Sequence, residues 1–405
     1  MKKLKLGLIR EGKVPPDNRV PLNPEQAARI EKLFSGVKVY CQKSDIRCFP
    51  DEAYAANGIA LVDDVSHCDI LMGIKEVPID QLIPEKTYLF FSHAIKKQAY
   101  NRNLLRSILE KKIKLIDYER LTDPEGNRIV AFGRFAGIVG AYNGLMTYGH
   151  RYGFFDLKRA YRCQNMEELK TELRKAHLPP IKIVLTGGGR VAYGVMEVLD
   201  FVGIEKVGPH EFLSQHFTYP VYTKLDIRDY NQRKEGGPFD RHEFFMYPER
   251  YTTAFLPYAH TADILISAAY WDSRAPVLFT REDMMADKFR IKIIADITCD
   301  IEGSIPSTKR PATIEEPVYD YDPWLDMVED SFSGDRFTTV MAVDNLPSEL
   351  PRDASTSFGE NLITHVFPHL FGNDHENVIK RATVTKNGKL MSDYTYLQDF
   401  VDGKE

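Results

Sequence analysis

Along the first third of the chain, short apolar runs alternate with segments whose apolar residues recur at helical spacing. The runs fall at 4–10, 37–41, 70–74, 88–91 and 115–118, and helical stretches at 24–34 and 97–111 lie between some of them. Apolar runs of strand length separated by amphipathic helices predict an α/β domain with a mostly parallel sheet. Residues 132–149 read as a further helix, in which Gly133, Gly137, Gly140, Ala141 and Gly144 fall near one face. Small residues on one face permit close packing, so this segment is read as a buried interdomain helix.

A second domain announces itself at 181–192, where the run Ile181-Lys-Ile-Val-Leu-Thr breaks into Gly187-Gly188-Gly189 and continues through Arg190, Val191 and Ala192. Val191, Val195, Val198, Leu199 and Val202 then recur at helical spacing, so strand, turn and helix are all readable. A pyrophosphate needs backbone N–H donors at a helix N-terminus with no side chain in the way. Gly187 suits the tight turn, Gly189 the approach of phosphates, and Ala192 close packing of helix on strand. The bland alternative is a glycine-rich turn that packs a strand on a helix and binds nothing.

Polar residues 158–180, ending in Pro179-Pro180, lead into this domain, and 263–269 and 291–298 supply later strands. Residues 208–260 are longer than a minimal crossover needs and are compatible with either a lid or a subunit contact. After Asp344 a short loop at 346–351 and a helix at 357–370 return the chain to the first domain. The expected fold is α/β, with two Rossmann-like doubly wound domains, a cleft between them, and the second domain inserted into the first. Its parts are a substrate-binding domain at 1–150, a dinucleotide-binding domain at 151–343, and the return at 344–405.

Charge and cysteine content narrow the function. The 53 basic and 58 acidic residues give a net charge of -5, with no basic tail or block, which argues against nucleic acid. The apolar run at the N-terminus is too short and interrupted for a signal peptide, and no segment approaches a membrane span. Cys41, Cys48, Cys68, Cys163 and Cys299 are scattered without metal or disulfide spacing, fitting reduced thiols and a cytoplasmic protein. His365 and His369 have i, i+4 spacing, but Pro368 lies between them and no acidic third ligand is evident, so no metal site is expected.

Candidate chemistry sits where strands of the first domain end. Lys75 and Glu76 follow one apolar run and His93 the next, and catalytic groups gather at the carboxyl ends of strands in open α/β sheets. Lys75 suits a substrate carboxylate, or a base if burial lowers its pKa; His93 suits proton transfer near neutrality. Read singly, each is equally a solvated strand-end residue.

The ordered motifs Arg10-Glu11, Asn18-Arg19-Val-Pro-Leu22, Gly73-Ile-Lys-Glu-Val-Pro78, Lys86-Thr-Tyr-Leu-Phe-Phe-Ser-His93, Leu115-Ile-Asp-Tyr-Glu119, Val130-Ala-Phe-Gly133, the glycine turn, Ala295-Asp-Ile-Thr-Cys-Asp300 and Asp344-Asn-Leu-Pro-Ser-Glu-Leu-Pro351 carry a resemblance. Together they resemble the lysine-forming saccharopine dehydrogenases, and still more the lysine-2-oxoglutarate reductase half of bifunctional lysine-degrading enzymes, within the alanine dehydrogenase and transhydrogenase group. The resemblance implies an NAD- or NADP-dependent oxidoreductase that interconverts saccharopine with lysine and 2-oxoglutarate through an imine and hydride transfer. It assigns Lys75 and His93 as the acid/base pair, Glu76 and Glu119 as carboxylates that tune them, Arg19 and Arg128 as substrate-carboxylate clamps, and Asp344 as a neighbour of the substrate amine or of the lysine side chain.

The cofactor is expected at Gly187, Gly188, Gly189, Arg190 and Val191, with Tyr270 and Trp271 bordering it and Asp296 and Asp300 following a strand of its domain. The acidic residue expected ~20 positions after the first glycine is not cleanly present. Glu211 is the nearest, with Pro209-His210 at the strand end, so NAD against NADP stays open, as do the physiological direction and the oligomeric state. Glu302-Gly303 stands where related enzymes often have Gly-Gly, which weakens the assignment of Asp300. Two other readings are a sister amino-acid dehydrogenase or opine-type enzyme, distinguished by its arginine clamps and substrate panel, and a non-catalytic dinucleotide-binding regulator, which would bind nucleotide without turnover.

Overall fold

The computed structural model describes residues 3–404. The chain divides into two compact units: one runs to Phe132 and resumes at Pro351, and the other is Gly133–Leu350. The breaks fall at 132/133 and 350/351, where the pattern had suggested 150/151 and 343/344.

In the first unit the parallel strands are β1 (Leu4–Leu8), β2 (Val37–Gln42), β3 (Ala60–Val62), β4 (Ile70–Met72), β5 (Thr87–Phe90) and β6 (Lys114–Asp117). Strand Thr383–Lys386 adds antiparallel to β6, and Lys389–Leu390 antiparallel to Thr383–Lys386, giving the order Lys389–Leu390, Thr383–Lys386, β6, β5, β4, β1, β2, β3. Strands buried on both faces are the mark of a doubly wound sheet. On one face Leu6, Leu8 and Val39 pack with Ala27 and Ile30 of α1 (Pro24–Leu33) and with Phe358 and Leu362 of the C-terminal helix Pro351–His365. On the other, Leu71, Tyr88 and Leu115 pack with Leu104, Leu105 and Ile108 of α2 (Arg102–Glu110) and with Leu397 and Phe400. The C-terminal helix begins six residues before the expected 357, because Pro351 is well suited to a first helical turn.

The second unit opens with α3 (Gly133–Tyr152), the segment expected between domains. It belongs to this unit because its glycines admit the backbone of α4 (Arg190–Val202): a Cβ on Gly137 would meet Val191 O at 1.9 Å, and one on Gly194 would meet Arg134 O at 2.0 Å. The strands are β7 (Lys182–Thr186), β8 (Glu205–Lys206), β9 (Val221–Leu225), the hairpin β10 (Asn231–Arg233) with β11 (Tyr251–Thr253), then β12 (Ile264–Ser267), β13 (Ile293–Asp296), β14 (Val318–Asp322), β15 (Met327–Glu329) and β16 (Thr338–Met341). The main sheet runs β15-β14-β16-β13-β12-β7-β9-β8, parallel except at β14 and β15. Among the described residues no helix is long and apolar enough to cross a membrane.

Candidate functional site

In the first unit, β1, β4, β5 and β6 are neighbours and parallel, so their carboxyl ends share one edge. Glu11, Lys75, His93 and Glu119 are among the ionisable side chains that follow these ends. The ladder continues past the strands, with Ile9 N donating to Met72 O (2.9 Å), Gly73 N to Leu89 O (3.0 Å) and Phe91 N to Ile74 O (3.0 Å). The turns that carry the ionisable groups are therefore backbone-pinned.

Lys75 is half-buried, and its ammonium makes no hydrogen bond or ion pair among the described residues. Burial first, then the nearby Arg19 guanidinium, pulls its pKa below the ordinary lysine value. Glu11 accepts from Ile74 N (2.6 Å) and Lys75 N (2.9 Å), one on each oxygen, and burial pushes it up to about 7 despite those bonds. Glu76 is buried, with Oε2 accepting from Lys13 Nζ at 2.7 Å and Oε1 without a partner.

His93 adopts the left-handed backbone conformation, φ 51°, and its ring stacks on Phe91. Its Nδ1 lies 3.3 Å from Glu119 Oε2, at ion-pair distance but without hydrogen-bond geometry. Lys96 and Arg128 each stand 3.7 Å from the other oxygen of Glu119. Burial would raise Glu119, and these three partners outweigh it and hold the carboxyl below its ordinary value. Asp117, fully buried at the end of β6, accepts from the Ser92 hydroxyl and from Glu119 N (2.8 Å), and burial pushes it up to about 6.

Arg19 is 3% exposed, bidentate to Asp17 through Nε (2.9 Å) and a terminal nitrogen (2.6 Å), with its guanidinium over the Phe132 ring at 4.1 Å. It is thus embedded in a buried pair, while Arg128 is exposed and leans on Glu119.

In the second unit β7, β9, β12, β13 and β16 are parallel, and their carboxyl ends again share an edge. Gly187 has φ +114°, and a Cβ there would meet Ala268 O at 2.6 Å, so the tight turn requires glycine. Gly188 and Gly189 are exposed, and a Cβ on either would meet nothing within 4 Å. No packing inside the unit asks for glycine at these two positions. Gly189 is the N-cap of α4 and supplies no side-chain cap, which leaves first-turn N–H groups for an anion. Arg190 is exposed; Val191 lies against Gly133 of α3.

The acidic residue beside this turn is Asp226, not Glu211. Gly187 N donates to the carbonyl of Leu225, the last residue of β9, and Asp226 follows directly. Glu211 lies in α5 (Pro209–Ser214), whose end is tied to the start of β7 by Lys182 Nζ on Phe212 O and Gln215 O (2.5 and 2.7 Å), toward the opposite edge of the sheet. Burial would raise Asp226, but Arg241, bonded to both its oxygens at 2.7 Å, and Arg228 hold it below its ordinary value.

Next to Asp226 is a small cavity of about 80 Å³, lined by Thr186, Ile227, Tyr230, Phe244, Trp271 and neighbours. Thr186 Oγ1 is buried there without a partner. A small aromatic-walled pocket with an orphaned hydroxyl, an uncapped glycine turn and an acidic residue beside it has the donor set for the adenosine end of a dinucleotide. Tyr270 is 89% exposed at the pocket lip, and Trp271 donates to Pro276 O at 3.1 Å.

Asp296 is 1% exposed, and its carboxylate is occupied by Thr298 N, Thr298 Oγ1, Cys299 N and Thr308 Oγ1. It organises its own loop and has no capacity turned outward. Asp300 and Asp344 are exposed beyond β13 and β16. His369 faces Asp374 at 3.5 Å and Glu376 at 3.9 Å, and no group of metal-ligating side chains occurs among the described residues.

Sequence reasoning passed over Glu11, Asp117 and Asp226. The alternation in Val221-Tyr-Thr-Lys-Leu225 is the signal that would have found Asp226. Glu11 and Asp117 bind backbone and a hydroxyl, which leaves no spacing to read.

Residues 7–139 match the family "Alanine dehydrogenase/PNT, N-terminal domain". Alpha-aminoadipic semialdehyde synthase, mitochondrial, of Mus musculus is 33% identical over 437 residues, covering 96% of this chain and 47% of that protein. The chain thus spans about half the length of that relative. Saccharopine dehydrogenase (NAD(+), L-lysine-forming) of Yarrowia lipolytica is 26% identical over 376 residues, covering 89% of this chain and 90% of that one. A solved L-alanine dehydrogenase has the same fold, with TM-score 0.66 at 15% identity over 98% of this chain and 99% of that one.

Proposed function

We propose, for a chain whose residues 7–139 match the alanine dehydrogenase/PNT N-terminal domain family, an NAD-preferring oxidoreductase that interconverts saccharopine with lysine and 2-oxoglutarate. The observation that carries it is the delivery of Lys75, His93 and Glu119 to one edge by three adjacent parallel strands. Joining an amine to a keto acid as an imine, and reducing it to a secondary amine, calls for two positioned proton carriers. Lys75, with a lowered pKa and no partner, takes a proton from the incoming amine and returns it on the reverse path. His93 carries the proton of the leaving water, and Glu119 stabilises its imidazolium. Arg128, exposed and extended toward Glu119, offers a guanidinium to a substrate carboxylate. Arg19 supports the same edge from within, lowering Lys75 while paired to Asp17.

The bound nicotinamide supplies or accepts the hydride. Gly188, Gly189 and the first turn of α4 would give it backbone N–H groups, and Asp226 would give a carboxylate for the ribose hydroxyls, which favours NAD over its 2′-phosphorylated form.

With lysine, 2-oxoglutarate and NADH, absorbance at the reduced-nicotinamide band should fall, and Lys75→Met or His93→Gln should slow it at least ~10-fold, a modest share of general acid–base effects. No consumption with NADH or NADPH, while another amine and keto-acid pair reacts, would replace this reading with a sister amino-acid dehydrogenase.

A further inference from the structure

The turns that carry Lys75 and His93 are each tied down by a carboxylate that the chemistry above does not use. Beyond the end of β4, the N–H groups of Ile74 and Lys75 have left the ladder, and Ile74 is fully buried. Glu11, just past the end of β1, accepts one on each oxygen, at 2.6 and 2.9 Å. Two orphaned donors converge on one carboxylate, and the peptide that precedes the Lys75 side chain is fixed from both ends.

On the neighbouring strands Asp117 has the matching task. One oxygen takes the Ser92 hydroxyl and the other takes Glu119 N, while Ser92 Oγ accepts from Ala94 N at 3.2 Å. His93 lies between Ser92 and Ala94 in a left-handed conformation that a non-glycine residue holds only when its surroundings over-determine it. Asp117 therefore secures the strained histidine turn and the turn bearing its carboxylate partner with a single side chain. Ser92 and Asp117 are both fully buried, so water offers no substitute for these bonds.

We propose that Glu11 and Asp117 are a pair of positioning residues: Glu11 sets the lysine half of the site and Asp117 the histidine–glutamate half, both acting through backbone and hydroxyl contacts rather than on substrate. The kinetic part rests on the reaction proposed above; the geometric part does not. In Glu11→Gln one side-chain position keeps an acceptor and the other presents NH₂ to an N–H, so one bond is lost and one contact turns repulsive. Asp117→Asn keeps its amide oxygen on Glu119 N and turns its NH₂ to Ser92 Oγ, which leaves the buried Ser92 hydroxyl proton without its carboxylate acceptor.

The test uses the full chain and three readouts. One is the pH midpoint of Lys75 acylation by trace acetic anhydride, read by peptide mass spectrometry. The others are the His93 imidazole titration by NMR and kcat against KM. The largest charges acting on Lys75 are those of Arg19, Asp17, Lys13 and Glu76, and Glu11→Asp, which keeps the carboxylate, separates displacement from lost charge. The expected result is a moved Lys75 midpoint in Glu11→Gln and an unmoved one in Asp117→Asn, with the His93 titration shifting only in the latter. In both, kcat should fall about 10- to 100-fold with KM within about threefold, as misplacement predicts. If either variant fails to fold, Glu11→Asp or Asp117→Glu takes its place and should show the same changes at smaller size. Folded variants with unchanged midpoints and unchanged kcat would overturn the proposal. If the native chain turns over no lysine and 2-oxoglutarate, the reaction fails as a reading, and the Lys75 and His93 titrations still decide the anchors.

Discussion

The two units have the same kind of edge, a row of parallel strand ends, and equip it in opposite ways. The first fills it with side chains: Lys75, His93, Glu119 and the two carboxylates behind them, Glu11 and Asp117. The second clears it, with Gly187 forced by backbone, and Gly188 and Gly189 surrounded by open space. Proton transfer needs groups whose charge changes, so it needs side chains with shifted pKa values. Holding a pyrophosphate needs only N–H dipoles, and a side chain there would obstruct it. Strand ends are a neutral platform, and what stands on them decides the chemistry.

The comparison breaks first at α3 and α4, where glycines serve packing instead of binding. Gly194→Leu, forced into Arg134 O, should cost the second unit more than about 3 kcal/mol in denaturant unfolding, at the upper end of overpacking effects.

Buried carboxylates sharpen it next, because the second unit has one that serves no site. Glu349 is fully buried and accepts from Asn143 Nδ2 at 2.9 Å, and burial pushes it up to about 7. Its folded pKa lies above its unfolded value, so the folded state holds the extra proton between about 4.5 and 7, and the stability it contributes is lost as pH rises through about 7. Glu349→Gln should therefore gain on the native chain by up to about 3 kcal/mol between pH 4 and pH 8 in paired denaturation curves. A constant gap would contradict this.

The nucleotide edge should respond more gently. Asp226→Ser should shift the ratio of kcat/KM for NADH to NADPH toward NADPH by about tenfold, roughly 1.4 kcal/mol. An unchanged ratio would return the choice to some other residue. Smallest in stability is Gly189→Ala, expected within about 0.5 kcal/mol of the native chain, since nothing lies within 4 Å of the new Cβ. The same change should weaken NADH binding several-fold by fluorescence titration, which separates a glycine kept for a ligand from one kept for packing.

Much of this was legible in the chain. The alternating runs located β1, β2, β4, β5, β6 and β7, and Lys75 and His93 stood out as polar residues at apolar strand ends. Strand β3, only Ala60–Val62 and half-buried, left no comparable run. Asp296 also stood out at a strand end, but its own loop saturates it. Glu211 was sought by distance along the chain, a rule that assumes the next strand lies beside the first. Here the two-residue β8 takes the sheet edge and β9 enters between it and β7, which carries the acidic position on to Asp226.

The sequence by itself determined the periodicities, and with them the strand and helix order, the glycine turn, and which residue types stand at strand ends, because these depend on neighbours within a few positions. Only the tertiary structure decided which strand ends are adjacent, that Glu11 reaches the peptide before Lys75, that Asp117 bridges the turns of His93 and Glu119, and that α3 packs on the glycine-turn helix. Those are contacts between residues distant in the chain, and their bonds run through backbone atoms that every residue shares.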